Sequence, residues 1–273
     1  RIYPVPTYQN PLGITQPPAR RTEVLQVAKS AGLLLLEDDP YCLLGFDGEV
    51  PRAIRADDAD GVVYLGSFSK TIASGLRVGW ALAPHGVREK LVLASEASVL
   101  CPSNFSQLTV SEYLATAPWL EQIKGFRELY RERRDALLES MEQMMPPGTE
   151  WTVPQGGFFS WVTLPNGLDT TAMLPRAVSG LVAYVPGTGF YVDGQGRDAM
   201  RLSYCFPEPD RIREGVRRLS GVIEKEMELV NTFGPTANSA RIGRATETGN
   251  ASHTANRASS SRRGPSTPSP ELP

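Results

Sequence analysis

The chain has 273 residues, enough for one large domain or two smaller ones with their own cores. Hydrophobic residues make up 41% and charged residues 21%, the balance of an ordinary globular protein, and a net charge of −2 gives no basic excess to draw nucleic acid. No apolar run approaches the ~20 residues that a membrane-spanning helix needs. Three scattered cysteines and two histidines argue against a disulfide framework, a zinc site or a His-based triad, and favour a reducing, cytoplasmic setting.

The first residue is Arg1, and "RIYPVP" already reads as an internal strand, so the expectation is a chain cut from something longer. In "RRTEVLQVAKSAG" Val24, Leu25, Ala28 and Ala31 recur at helical spacing, with Gly32 placed to cap the end. "LLLLEDD" and "VVYLGS" are short apolar runs, as expected of strands buried on both faces of a parallel sheet, and "RVGWALA" reads as another strand. This alternation points to an open α/β sheet, whose ligands sit at the strands' carboxyl ends. Asn10, Asp38 and the stretch from Ser67 to Lys70 fall at such ends.

From about Pro118 the pattern changes. Leu120, Ile123, Tyr130, Leu137, Met141 and Met144 lie at helical spacing in one long amphipathic segment. Short strand patterns follow in "GGFFSWVTL", "GLVAYVPG" and "AMRLSYC". A last helix is expected to place Ile212, Val216, Leu219, Ile223, Met227 and Val230 on one face. The division expected is a first domain over 1–118, an α+β domain over 119–230, and a tail over 231–273. That tail is too poor in large apolar groups to offset the entropy of ordering, and is expected to be disordered.

The stretch "GSFSKTIASGLRVGW" carries the chemistry. Lys70 stands between small hydroxyl residues, with Arg77 seven positions on. "SFSK" also fits the Ser-x-x-Lys motif of penicillin-binding enzymes, but the Lys-Thr-Gly and Ser-Asp-Asn elements that motif requires are absent. A Schiff-base lysine at a sheet rim is the reading that uses the neighbours. Pyridoxal phosphate then needs phosphate donors, a carboxylate at the ring nitrogen and a partner for the ring hydroxyl. Ser67, Ser69 and Arg77 can hold a phosphate; "EDDPY" offers a carboxylate and a phenol, and "NPLG" an amide.

"YQNPLG", "EDDPY" and "GSFSKTIASGLRVGW", followed in order by "PQGGFFSWV", "VPGTGF" and "MRLSY", resemble the fold-type I, class I/II aminotransferases, and most closely their 2-aminoadipate, kynurenine and aromatic branch. The likeness covers residues 1 to about 230. It implies an α/β fold: part of a large, mixed and mostly parallel sheet domain, with a smaller α+β domain after it. It implies that Lys70 bonds the cofactor, that Asp38 holds the ring nitrogen protonated, and that Tyr41 and Asn10 bind the ring hydroxyl. Ser67, Ser69 and Arg77 would hold the phosphate, and Arg201, with Asn10 beside it, the substrate carboxylate. Asp39, next to Asp38, is read as a turn or outer group. The implied reaction is transamination between a large amino acid and a 2-oxo acid such as 2-oxoglutarate, by a homodimer without metal or nucleic acid. The family's N-terminal phosphate loop and ring-stacking aromatic are not visible in this sequence. The alternative is an effector-sensing aminotransferase-like domain that follows a winged helix in a transcription regulator.

Overall fold

The computed structural model describes residues 1–47, 49–165 and 167–234. After helix α1 (Pro18–Ser30) come strands β1 (Leu35–Asp38), β2 (Val62–Ser67) and β3 (Gly79–Leu82), which form one sheet in that order. β1 and β2 are parallel, with Leu35 opposite Val62 and Asp38 opposite Leu65; β3 is antiparallel to β2, with Gly79 opposite Ser67. The described sheet is therefore mixed, with one pair of each kind. Because side chains alternate along a strand, Glu37 and Tyr64 share one face and Asp38 and Ser67 the other.

α1 ends as its sequence requires. Gly32 takes φ +61°, its N–H bonds Lys29 O at 3.1 Å, and the next N–H, of Leu33, reaches Ala28 O at 2.9 Å. This doubly bonded cap needs a left-handed residue, which glycine supplies without strain. Leu25 and Ala28 of α1 pack on Leu35, Ile54 and Val62. The expected first strand is only half made. Ile2 bridges Leu35, and the N–H groups of Leu36 and Asp38 bond Ile2 O and Pro4 O. Ile2 N–H returns a bond to Leu34 O at 3.1 Å, but Pro4 and Pro6 have no N–H to give, so the reciprocal ladder goes no further.

Two helices stand where the sequence reading placed nothing, α2 (His85–Val99) and α3 (Asn104–Thr116). α2 has no buried residue, and α3 buries only Val110. In α2 the large apolar groups Leu91, Val92 and Leu93 are consecutive and exposed, so no helical stripe marks the sequence. The long helix α4 (Trp119–Met144) forms as expected and buries Ile123, Leu137 and Met141, but Leu120 is 56% exposed, off the packed face.

The second sheet contains β4 (Glu150–Trp151), β5 (Phe159–Thr163), β6 (Val185–Pro186) and β7 (Ala199–Ser203), in the order β4-β5-β7-β6 and antiparallel throughout. β4 is too short to show a pattern. Helix α5 (Thr170–Ser179) was also unforeseen, since Pro175 sits inside it; Asp169 caps its start by accepting from the N–H groups of Thr171 and Ala172. α6 (Pro209–Phe233) brings Ile212, Val216, Leu219 and Ile223 into a core with Leu137 and Met141 of α4 and Val162 and Met200 of the sheet. α6 runs past the expected boundary at residue 231; the rest of the expected disordered tail, 235–273, lies outside the described residues.

The two sheets are joined at Tyr8. Its ring is 4% exposed and its φ is +48°. Around it Gly45 bridges Gly156, Phe46 N–H bonds Gln155 O at 2.9 Å, and Gly157 N–H bonds Leu44 O at 3.1 Å. A Cβ on Gly156 would stand 2.6 Å from the Tyr8 ring and 2.7 Å from Leu44 O. Gly156→Ala is therefore expected to cost about 1–3 kcal/mol by overpacking. Gly221→Ala, in α6 with nothing within 4 Å of the added carbon, should instead gain about 0.5–1 kcal/mol. Denaturant unfolding of the two variants checks the contrast.

Candidate active site

The carboxyl ends of β1 and β2 leave the first sheet at one edge, because the strands are parallel. β1 ends at Asp38, and the chain turns through Pro40 to Tyr41 and a short 3-10 turn, Cys42–Leu44. The Tyr3 hydroxyl donates to Asp38 Oδ2. That bond, more than burial, raises the Tyr3 phenol to about 12. No sequence signal announces this contact, which spans two distant segments. Tyr41 is buried, with its ring edge-on to Phe158 at 5.6 Å and Phe159 at 6.2 Å. Burial raises its phenol most, Arg201 pulls it back and Asp38 raises it further, so both charges act on the one hydroxyl.

β2 runs into Ser67, and the following loop folds back on Phe68. Phe68 N–H bonds Val78 O at 3.1 Å, and the N–H groups of Ile72 and Ala73 bond Phe68 O. Inside this loop Ser69 N–H donates to Ser67 Oγ at 3.1 Å. Lys70 is half-buried and, among the described residues, has neither an ion pair nor a hydrogen bond from its side chain. Arg77 is exposed and left-handed at φ +55°, and its Nη1 reaches Ser74 O at 3.4 Å. The loop gathers Ser67, Ser69, Lys70 and Arg77, but no direct contact joins Lys70 to Asp38 or Tyr41, or Arg77 to the serines, among the described residues.

Arg201 comes from the second sheet, on β7 between Trp161 of β5 and Val185 of β6. Its Nη1 donates to Asn10 Oδ1 at 2.6 Å, across 191 positions of sequence. The guanidinium carbon stands 4.2 Å from the Phe159 ring centroid and 5.3 Å from that of Phe190, a cation between two aromatic faces. Desolvation lowers its pKa. Its Nε is buried without a hydrogen-bond partner, an unmet donor on a cation, which suits an incoming anion. The sequence reading missed Phe159 and Phe190, though "GGFF" and "GTGF" both place an aromatic beside flexible backbone.

On the reverse face lie two buried carboxylates. Glu37 accepts from the N–H groups of Ile54 and Arg55, at 2.8 and 2.9 Å, and so caps the turn Ile54–Asp57. Asp39, 3% exposed, accepts from the Tyr64 hydroxyl at 3.2 Å. It is more enclosed than a turn residue. Burial pushes its carboxyl up to about 6; Glu37 adds to this, while the Thr7 and Tyr64 hydroxyls and Arg21 oppose it. The Cys42 thiol meets the same Tyr64 oxygen at 3.6 Å and is raised to about 11, chiefly by burial. A cavity of about 290 Å³ opens beside this cluster, walled by Phe68, Ile72, Trp80, Leu114 and Trp119.

Residues 5–219 match the family described as aminotransferase class I and II. The chain is 42% identical over 229 residues to aromatic-amino-acid aminotransferase 1 of Thermococcus litoralis, covering 83% of this chain and 55% of that protein. A solved structure of the α-aminoadipate aminotransferase of Thermus thermophilus, complexed with N-(5'-phosphopyridoxyl)-L-leucine, superposes with a TM-score of 0.79 at 36% identity, over 84% of this chain and 59% of that one. An uncharacterized helix-turn-helix transcriptional regulator of Bacillus subtilis matches at 31% identity, over 79% of this chain and 44% of its own. The chain belongs to the class I and II aminotransferase family and has its α/β fold. It spans about half the length of the curated relatives it matches. Among the described residues no helix is long and apolar enough to cross a membrane.

The Asp39 carboxyl makes stability depend on pH in a defined direction. Its folded pKa, about 6, lies above the ordinary aspartate value of 3.8, so the folded state holds its proton longer. The contribution is complete below about pH 4 and is lost as pH rises through about 6, a change of roughly 2–3 kcal/mol from this group. Asp39→Asn should flatten that segment of the stability–pH curve, measured by denaturant unfolding.

Proposed function

We propose that the protein is a pyridoxal-phosphate-dependent aminotransferase. It would move an amino group between an amino acid with an aromatic, 2-aminoadipate-like or other large side chain and a 2-oxo acid such as 2-oxoglutarate. The observation that carries this reading is the bond from Arg201 to Asn10, which sets an arginine with an unmet, buried Nε–H beside the strand edge that bears Asp38, Tyr41 and the Lys70 loop. The donor set fits the cofactor. Lys70 has an uncommitted amine, Asp38 retains an oxygen besides the one bonded to Tyr3, and Ser67, Ser69 and Arg77 lie on one loop.

When bound, pyridoxal phosphate supplies an aldehyde carbon and a ring able to take up an electron pair. Asp38 holds the proton on the ring nitrogen, while Tyr41 and Asn10 bind the ring hydroxyl. Ser67, Ser69 and Arg77 bind the phosphate. Arg201 grips the substrate carboxylate and so orients the Cα–H bond, with Phe159 and Phe190 keeping the guanidinium in place. The Lys70 amine would hold the aldehyde carbon, and its free Nζ would take the proton from the substrate Cα as general base and return it as acid.

We take residues 1–118 as part of the cofactor-binding domain and 119–230 as the smaller one, a division supported by the two separate sheets. A homodimer in the cytoplasm belongs to the same reading. Exposed Trp80, Leu82, Val92, Leu100 and Phe105 give apolar surface for a second subunit or other chain to cover. The regulator reading is supported by the match to the Bacillus subtilis protein; it expects cofactor binding without turnover.

Lys70→Ala in the intact protein is expected to abolish transamination, and borohydride fixation of the cofactor, while leaving the melting temperature unchanged. Near-normal turnover in that variant would remove the assignment. Asp38→Asn should be far more damaging than Asp39→Asn, by several kcal/mol in the barrier, because an amide cannot hold the ring nitrogen's proton. Steady-state kinetics of the two variants decide between the carboxylates, and equal effects would overturn the choice of Asp38.

A further inference from the structure

We propose that Asp39 is a positioning residue: its carboxylate, bonded by the Tyr64 hydroxyl on the reverse face of the first sheet, fixes the cofactor-side edge and sets the acid limit of the reaction. This rests on the aminotransferase reading. Three segments that carry site residues meet at this one group. Just past the end of β1 it is the immediate neighbour of Asp38, and the two side chains point to opposite faces. Its N–H bonds Leu65 O at 3.0 Å, and its Oδ2 accepts from Tyr64 at 3.2 Å, so backbone and side chain both tie β1 to the strand that leads to Ser67 and Lys70. The Thr7 hydroxyl, three residues before Asn10, acts on it as well. Thr7 in turn accepts from Arg21 Nη2 at 2.9 Å.

The groups that face this carboxylate come from every element around it. Glu37 on β1 opposes its charge, while the Cys42 thiol in the turn beyond stays neutral, its ionisation raised by burial and by Asp39. Arg21 on α1 supports the charged form, and so do the Tyr64 and Thr7 hydroxyls. The buried Tyr8 phenol feels both Asp39 and Arg127 of α4. One cation and two hydroxyls stand against burial and a second carboxylate. The outcome is a group that changes charge near pH 6, inside the range in which an enzyme works. When ionised, Asp39 accepts fully from Tyr64 and adds a negative charge one peptide behind Asp38. When protonated it loses that charge, and the link between the two strand ends slackens. Its hydrogen-bond partner is Tyr64, not Arg201 or Asn10, to which substrate binding is assigned, so the effect falls on turnover and not on substrate binding.

The test uses the intact protein loaded with pyridoxal phosphate, with Asp39→Asn and Tyr64→Phe compared with wild type from about pH 5 to about pH 9. Two properties are followed, kcat and KM with an aromatic amino acid and 2-oxoglutarate, and the absorbance of the bound cofactor. A third measurement, infrared titration of carboxyl groups, is made on the cofactor-free protein. Wild type should lose turnover as pH falls through about 6. Asp39→Asn should have no such limb, and at neutral pH a kcat lower on the order of tenfold, the scale of one lost charge nearby, with KM unchanged. Tyr64→Phe removes a bond that favours the ionised form, so both the limb and the infrared titration should move to higher pH. A limb that stays in place in both variants, an infrared titration unmoved by Tyr64→Phe, or a change confined to KM would overturn the proposal. If wild type binds cofactor without any turnover, the enzyme reading fails on its own; the cofactor spectrum then reports the limb, and its indifference to both substitutions would overturn the positioning role. Should Asp39→Asn fail to fold, the shift in Tyr64→Phe decides alone.

Discussion

The seat of Tyr8 is the contact on which the rest of the structure depends. One aromatic ring, held in a left-handed backbone conformation, fills the space left by Gly45, Gly156 and Gly157. Two residues further on stands Asn10, which meets Arg201 of the second sheet. A shift of the ring would carry Asn10 with it and part the hydrogen bond to Arg201. The loop is held from the other side by Arg21. This buried guanidinium donates to Gln16 O, Arg52 O, Pro6 O and Thr7 Oγ1, at 2.9–3.1 Å. Four acceptors satisfy a charge that burial would otherwise make costly.

The first sheet divides its polar groups by face. Asp38 and Ser67 point to the side where Arg201 and Asn10 converge, while Glu37, Asp39 and Tyr64 point away. Two carboxylates so close on a buried face burden the fold, and they are handled differently. Glu37 is matched by two backbone N–H groups at the start of a turn. Asp39 has a single phenol at hydrogen-bond distance on Oδ2, and burial holds its carboxyl above the usual carboxylate range.

What the sequence shows directly is where the candidate residues stand along the chain. Asn10, Asp38, Tyr41, Ser67 and Lys70 all follow apolar runs, and a parallel pair brings the ends of such runs to one edge. The cap at Gly32 was legible for a similar reason, since only a left-handed residue can end a helix in that way. What remained hidden was helix without an inward stripe. α2 and α3 turn Leu93, Phe105 and Leu108 outward, so their apolar residues give no periodic signal. α5 contains Pro175, ordinarily a sign of helix termination, and Asp169 offsets it at the N-terminus. The bond from Tyr3 to Asp38 and the rings around Arg201 were beyond reach, because they arise from segments that only the fold makes neighbours. In "EDDPY" the resemblance pointed to Asp38 as the carboxylate toward the cofactor, but the depth of Asp39 emerges only when β2 lies alongside.

The same enclosure bears on the thiols. Cys42, with its ionisation raised to about 11, carries on the order of one thiolate in ten thousand molecules at neutral pH, and thiolate is the form that alkylating agents and peroxides attack. Cys101 lies exposed in the turn between α2 and α3. The fold thus sorts its sulfur by reactivity, and in an isolated subunit a dye or spin label supplied sparingly would settle on the outer turn, far in sequence from the lysine loop, while the sulfur behind the sheet stayed untouched.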